Sequence, residues 1–147
     1  MFNVRTATTN DLHQLAFLFD QYRVFYGKST DIKAAEAFLS DRLSNNDSVI
    51  FVVEEKNELK GFTQLYPLFS SVRMKKLWLL NDLFVQEASR GKGMSVALID
   101  AAKKLCRESG ACGMYLETQK DNIIGNALYP KTGFVLNAEH NFYDWSV

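Results

Sequence analysis

The sequence predicts a single α+β domain, a mixed sheet carrying about four helices, and three observations point to it. The hydrophobic periodicities run in the order βααβββαβαββ, with three strands in succession and no strict alternation of strand and helix, which argues against a doubly wound fold. One stretch, Lys75 to Val85, is long for a strand and apolar on both faces, as a strand within a sheet must be. The chain has 147 residues, 47% of them apolar and 13% aromatic, enough to bury the core of one domain and too apolar for a disordered chain.

The first strand is Phe2 to Thr6, where Phe2, Val4 and Thr6 alternate with Asn3 and Arg5. Thr8-Thr9-Asn10-Asp11 reads as a capping box, the Asp11 carboxylate reaching back to a free N–H. The helix it opens sets Leu12, Leu15, Phe19 and Tyr22 on one face, and Gly27-Lys28-Ser29-Thr30 breaks it. A second helix follows Asp31, with Ala35, Phe38, Leu39 and Leu43 at helical spacing. Ser48 to Glu54 reads as a strand, Lys56-Asn57 as a turn, and Gly61 to Leu68 as the hairpin partner. In the long strand, Asn81-Asp82 interrupts an apolar run and predicts a bulge or a polar site at depth. Gly93 to Ser109 is the strongest helix; its stripe is Met94, Ala97, Leu98, Ala101 and Leu105, and Gly110 is placed to stop it. Cys112 to Gln119 reads as a strand and Asn122 to Lys131 as a helix stopped at Gly133. Phe134 to Leu136 and Phe142 to Val147 read as closing strands. No repeat, low-complexity tract or linker divides residues 1–147.

Composition also narrows the function. Lys+Arg and Asp+Glu each number 17, so no global field draws the chain to nucleic acid or to an anionic membrane. The start, Met1-Phe2-Asn3-Val4-Arg5, lacks the basic and apolar regions of a signal peptide, and no apolar run approaches a membrane span. Cys106 and Cys112 could form at most one bridge, and no Cys/His group has zinc spacing. The expectation is a cytoplasmic protein with reduced thiols and no metal.

Chemistry enters where the long strand ends. Gln86-Glu87-Ala88-Ser89 leaves it, and Arg90-Gly91-Lys92-Gly93 opens the next helix. A helix start offers unpaired N–H groups and the positive end of the macrodipole. Glycines let an anion approach that backbone, and Arg90 and Lys92 add charge, a combination suited to a pyrophosphate. A plain turn with solvated basic residues fits the same letters, since a Gly-x-Gly is weak by itself. Two other phosphate motifs fail. A dinucleotide fingerprint needs glycine at the position of Val96, and a P-loop needs Ser or Thr after Gly91-Lys92, where Gly93 stands.

Taken with its neighbours, this loop resembles the GCN5-related N-acetyltransferase family. The family's Arg/Gln-x-x-Gly-x-Gly/Ala signature is matched by Arg90-Gly91-Lys92-Gly93-Met94-Ser95, with Ser95 in the last small-residue slot. A second pattern, Asn-x-x-Ala-x-x-Leu-Tyr-x-Lys-x-Gly-Phe, is similar to Asn122 through Phe134, with Gly125 for the usual alanine and Pro130 where Glu is common. Asp82-Leu83-Phe84-Val85 is similar to the family's Asp-Leu-x-Val. The resemblance implies a mostly antiparallel mixed sheet of six or seven strands whose central parallel strands splay apart to admit acetyl-CoA.

It further implies that the backbone of Leu83, Phe84 and Val85 pairs with the pantetheine. The N–H groups of Gly91, Lys92, Gly93, Met94, Ser95 and Val96 would hold the pyrophosphate, Asn122 the pantetheine arm, and Asn126 a nearby part of CoA. Tyr129 stands where the family keeps the acid that protonates the departing thiolate. A tyrosine on a helix is otherwise most often a core residue. For the base, polyamine-type relatives keep a glutamate at the position of Asn81, which cannot serve. Water-mediated deprotonation, Glu117 and Asp82 are the alternatives, each carboxylate being equally open to a structural role.

The acceptor side, between the first two helices and the last hairpin in this family, carries Tyr22, Arg23 and Tyr26, with Asp31, Asn81 and Trp145 as further candidates. Aromatics with a carboxylate suit a cationic amine, and Arg23 suits an acceptor carboxylate. The expected reaction is acetylation of a small primary amine such as a polyamine, amino acid or aminoglycoside. Acetylation of a protein Lys or N-terminus, and a non-catalytic acyl-CoA sensor, are the competing readings. Phe142 and Trp145 near the chain's end suggest a covered patch, and hence a homodimer.

Overall fold

The computed structural model describes Met1 to Val147, in which Met1–Leu116 and Glu117–Val147 form separate compact units. The first unit contains β1 (Asn3–Thr6), α1 (Leu12–Phe25), α2 (Ile32–Asn45), β2 (Val49–Glu55), β3 (Glu58–Ser70), β4 (Lys75–Val85), α3 (Met94–Glu108) and β5 (Met114–Tyr115). The second contains α4 (Ile123–Lys131).

Local chemistry fixes most of these limits. Thr8 and Asp11 form the capping box, and Asp11 accepts the Thr8 N–H at 2.7 Å. Arg5 donates to both Asp11 oxygens at 2.8 Å and to Glu54 at 2.9 Å, tying β1 to the start of α1 and to β2. The Arg5 guanidinium holds the Asp11 carboxyl below the usual carboxylate range. Asp31 caps α2, its carboxylate accepting the Ala34 N–H at 3.0 Å. Lys56 and Asn57 turn the β2–β3 hairpin with φ of 54° and 64°, as a two-residue turn between twisted strands requires.

The strands form one sheet in the order β1-β2-β3-β4-β5, antiparallel except for the parallel β4–β5 pair. Alternation sends Ile50, Val52, Phe62 and Phe84 to the face under α1 and α2, where Leu15, Phe19 and Leu39 complete a core. Val53 and Val85 point to the other face and meet Met94 and Leu98 of α3. Fully burying a side chain such as Phe62 or Leu98 contributes about 1.5–3 kcal/mol, so these two layers hold the sheet rigid beneath the loops.

Three expectations need correction. The sheet has five strands, not six or seven, because residues 134–136 and 142–147 form no strand and Val135, Leu136, Phe142, Tyr143 and Trp145 are exposed. Strand-like composition at a chain's end becomes a strand only where a neighbouring edge supplies hydrogen bonds. The Cys112–Gln119 strand shortens to Met114–Tyr115, the two residues that pair with Trp78 and Leu79 of β4. The buried stripe of α3 is Met94, Leu98, Ala102 and Cys106, with Ile99, while Ala97, Ala101 and Leu105 sit half-buried on its flank. No helix is long and apolar enough to cross a membrane.

Candidate active site

β4 carries the site. It pairs with β3 along its whole length, but its other edge meets β5 only at Trp78 and Leu79. Beyond Leu79 that edge, including Leu83, Phe84 and Val85, has no strand partner. Close approach on the β3 side keeps its end rigid. A Cβ on Gly61 would lie 2.5 Å from the Phe84 carbonyl oxygen, so only glycine permits this pairing with Val85.

The strand then runs into the glycine loop. Gly91 and Gly93 both adopt the left-handed region, with φ of 75° and 82°, and a Cβ at either would meet no atom within 4 Å. The glycines are therefore needed for their backbone conformation, and their surface is uncovered. The first helical bond of α3 is made by the Ala97 N–H to Gly93 O at 3.0 Å, which leaves the N–H groups of Met94, Ser95 and Val96 without a helical acceptor. Met94 anchors this start in the core beneath α3. The basic side chains are already partnered. Arg90 donates through Nε to the Val85 carbonyl at 2.9 Å and lies over the Phe25 and Phe84 rings, while the Lys92 ammonium stands 3.9 Å from Glu55. The backbone supplies the loop's most direct anion donors, and Arg90 braces the loop against β4.

The interruption at Asn81-Asp82 is a β-bulge. Gln64 pairs with Asp82 and Leu65 with Leu80, so Asn81 is the extra residue. Asn81 is exposed, and its side chain donates to Asp82 at 3.1 Å. Asp82 is buried on the α1 side, where Tyr22 and Gln64 also donate to its carboxylate. Burial pushes the Asp82 carboxyl up, and these neutral donors only partly offset the effect. Tyr22 also donates to the Asn81 carbonyl at 3.4 Å and stacks edge-on with Tyr26 and Phe84.

In the second unit, Asn122 caps α4. Its Oδ1 accepts the Gly125 N–H at 3.1 Å and its Nδ2 donates to Thr118 at 2.9 Å. This cap explains the glycine at 125, since a Cβ there would lie 2.6 Å from the Asn122 amide nitrogen. Asn126 donates to the carbonyls of Gln119, Lys120 and Asn122, pinning the segment before the helix. Tyr129 is half-buried with its ring edge-on to Phe134 at 5.8 Å, and Glu117 is exposed.

A model of the acetyltransferase (GNAT) family matches residues 15–134. The chain belongs to this family. It is an acyl-CoA-dependent acetyltransferase, and its relatives agree. An uncharacterized N-acetyltransferase of Bacillus subtilis (strain 168), YhfO, is 47% identical over 132 residues, which cover 90% of this chain and 89% of that protein. A streptothricin acetyltransferase of Escherichia coli is 31% identical over 67% of this chain and 54% of its own length. The crystal structure of a probable acetyltransferase superposes with a TM-score of 0.92 at 36% identity, covering 99% of this chain and 97% of the other.

Within this acetyltransferase, the residues expected on the acceptor side fall into two groups. Tyr22 and Asn81 bond to Asp82 at the bulge, and Tyr26 packs edge-on against Tyr22. Asp31 is committed to the α2 cap, Arg23 donates to the Ser29 carbonyl at 3.4 Å, and Trp145 is 86% exposed. Gln64 belongs with the first group, although nothing in the sequence singles it out beyond a glutamine beside Thr63 within the strand.

Proposed function

We propose that this enzyme transfers an acetyl group directly from acetyl-CoA to the primary amine of a small molecule of the polyamine, amino acid or aminoglycoside class. The observation that carries this reading is the free edge of β4 at Leu83–Val85 leading into the uncovered N–H groups at the start of α3. The edge suits the amides of a pantetheine arm, and the helix start suits its pyrophosphate. The name of the streptothricin-acetylating relative supports a small acceptor.

Each residue then has a defined task. Asp82, buried and raised, accepts the proton of an incoming ammonium group, which frees the nitrogen lone pair to form the C–N bond. The Tyr129 hydroxyl delivers a proton to sulfur as the C–S bond breaks, and its phenolate takes back the second proton that the nitrogen sheds as the amide forms. A phenol, with an ordinary pKa of about 10, stays protonated at neutral pH and can serve as that acid. Tyr22 and Tyr26 offer ring faces and a hydroxyl to a cationic acceptor beside Asp82. Asn122 and Asn126 shape the segment before Tyr129, with spare acceptor capacity on their carbonyl oxygens for CoA. Amine-dependent thiol release from acetyl-CoA is the test of this function.

The working form in this reading is a homodimer. Phe142 and Trp145 are 67% and 86% exposed, and a chain that leaves large aromatics in water gains by covering them. Light scattering at low micromolar concentration should return twice the 16.8 kDa subunit mass. A single subunit mass under those conditions contradicts the dimer.

A further inference from the structure

Behind Asp82 lies a polar chain that the transfer reaction as described does not use. The β3–β4 register sets Gln64 opposite Asp82, with exposures of 0% and 4%. Gln64 Nε2 donates to Asp82 Oδ2 at 2.9 Å, and Ser48 Oγ donates to Gln64 Oε1 at 2.8 Å. The polarity of this chain follows from its ends. An ionised carboxylate only accepts, so the amide must present its N–H to Asp82 and its oxygen to Ser48, whose hydroxyl must then donate. A glutamine this deep loses rotamer freedom and must satisfy both ends of its amide, which a leucine on an apolar strand would not require.

Other groups bear on the same carboxylate. Asn81 from the bulge and Tyr22 from α1 donate to it. Tyr66 of β3 lies close enough that Asp82 adds to the burial that pushes its phenol up to about 12. Arg42 near the end of α2 and Asp47 beyond it act on Tyr66 with opposite signs. Arg42 pairs with Asp47 at 3.0 Å, and no Lys or Arg forms an ion pair with Asp82. The charged form of Asp82 therefore depends on neutral donors alone. Gln64 is the donor fixed from behind by a second residue.

We propose that Gln64, oriented by Ser48, is a positioning residue that aims the Asp82 carboxylate at the β4 bulge and keeps it in the ionised form that accepts the proton of the acceptor amine. This rests on Asp82 being the base in the transfer. Proton transfer balances without a further reactant: Asp82 takes the ammonium proton, while the Gln64 and Ser48 protons stay in place.

The test compares Gln64→Met, Ser48→Ala and Asp82→Asn in the intact protein. It uses kcat/KM against pH with the best acceptor from an amine panel, and a carbon-13 NMR titration of the Asp82 carboxyl. Losing an N–H donor to a carboxylate disfavours its charged form. In Gln64→Met the NMR midpoint and the acid limb of the rate profile should therefore both move up by about one pH unit. The KM for acetyl-CoA should stay the same. Ser48→Ala should shift both in the same direction by less, and it keeps the question open to measurement if Gln64→Met does not fold. A limb and midpoint within about 0.2 unit of wild type, with Asp82→Asn inactive, overturn the Gln64 role and leave the base assignment standing. An Asp82→Asn enzyme with wild-type rate and pH profile overturns the base assignment and this inference with it.

Discussion

Replacing Tyr129 with phenylalanine is expected to lower the turnover of acetyl transfer by about 10²–10⁴-fold, the usual worth of a positioned acid. The substitution keeps the ring, and with it the edge-on contact to Phe134, and removes only the hydroxyl. Affinity for acetyl-CoA should change little, because protonation of the leaving sulfur matters in the transition state rather than in the bound complex. Stability should fall by at most about 1–2 kcal/mol, the range for one lost hydrogen bond. Steady-state kinetics with a binding titration of acetyl-CoA separate these quantities. Turnover within about threefold of wild type, in a variant that folds and binds the donor normally, would leave Tyr129 a packing residue of the second unit.

The second large effect is at Gly93. Its φ of 82° lies in the left-handed region, where a β-branched side chain is strained by about 1–3 kcal/mol. No atom lies within 4 Å of the position a Cβ would take, so Gly93→Val does not clash with the fold itself. The new methyl groups instead project from the loop that presents the N–H groups of α3, and relief of the strain would turn those groups aside. Acetyl-CoA affinity should fall at least about tenfold, with a modest loss of stability because Gly93 is also the N-cap of α3. Isothermal titration on the folded variant checks this. An affinity within a factor of two of wild type would mean that the loop does not hold the pyrophosphate.

How much of this could be read in advance depended on whether the governing interaction was local. Gly91 and Gly93 were legible because the φ they supply is a property of the residues themselves. The Lys56-Asn57 turn and the Thr8–Asp11 box were legible for the same reason. Bounds of Lys75–Val85 for β4, and the bulge within it, followed from an apolar run interrupted by a polar pair. The closing strands failed because strand formation needs a partner edge, and the letters of residues 134–147 do not name one. The α3 stripe was displaced because Ala97, Ala101 and Leu105 are as apolar as the residues beside them, so apolarity alone did not fix the helix's rotation.

The site divides in the same way. Motif spacing marked the loop, Asn122 and Tyr129, but not what the side chains would be doing. Arg90 is bound to the Val85 carbonyl, Asp31 to the α2 N-terminus, and Asn122 to Gly125. Simple strand alternation would set Asn81 and Asp82 on opposite faces, but the bulge breaks that alternation and the Asn81 side chain bonds to the Asp82 carboxylate at 3.1 Å. The identity of Asp82's buried partners was not accessible. Gln64 is 18 residues away along the chain and Ser48 is a further 16 from Gln64, and only the β2–β3 and β3–β4 pairings together bring the three into contact.

Thiol release from acetyl-CoA, followed with a panel of small primary amines beside peptides carrying a free Lys or N-terminus, tests the proposed function most directly. The account predicts that at least one small amine accelerates release well above the amine-free rate. The rate should rise with pH as Asp82 and the amine lose protons, and acetylated amine should form in equal amount to free CoA. Release stimulated only by the peptides, or by no amine at all, would contradict it.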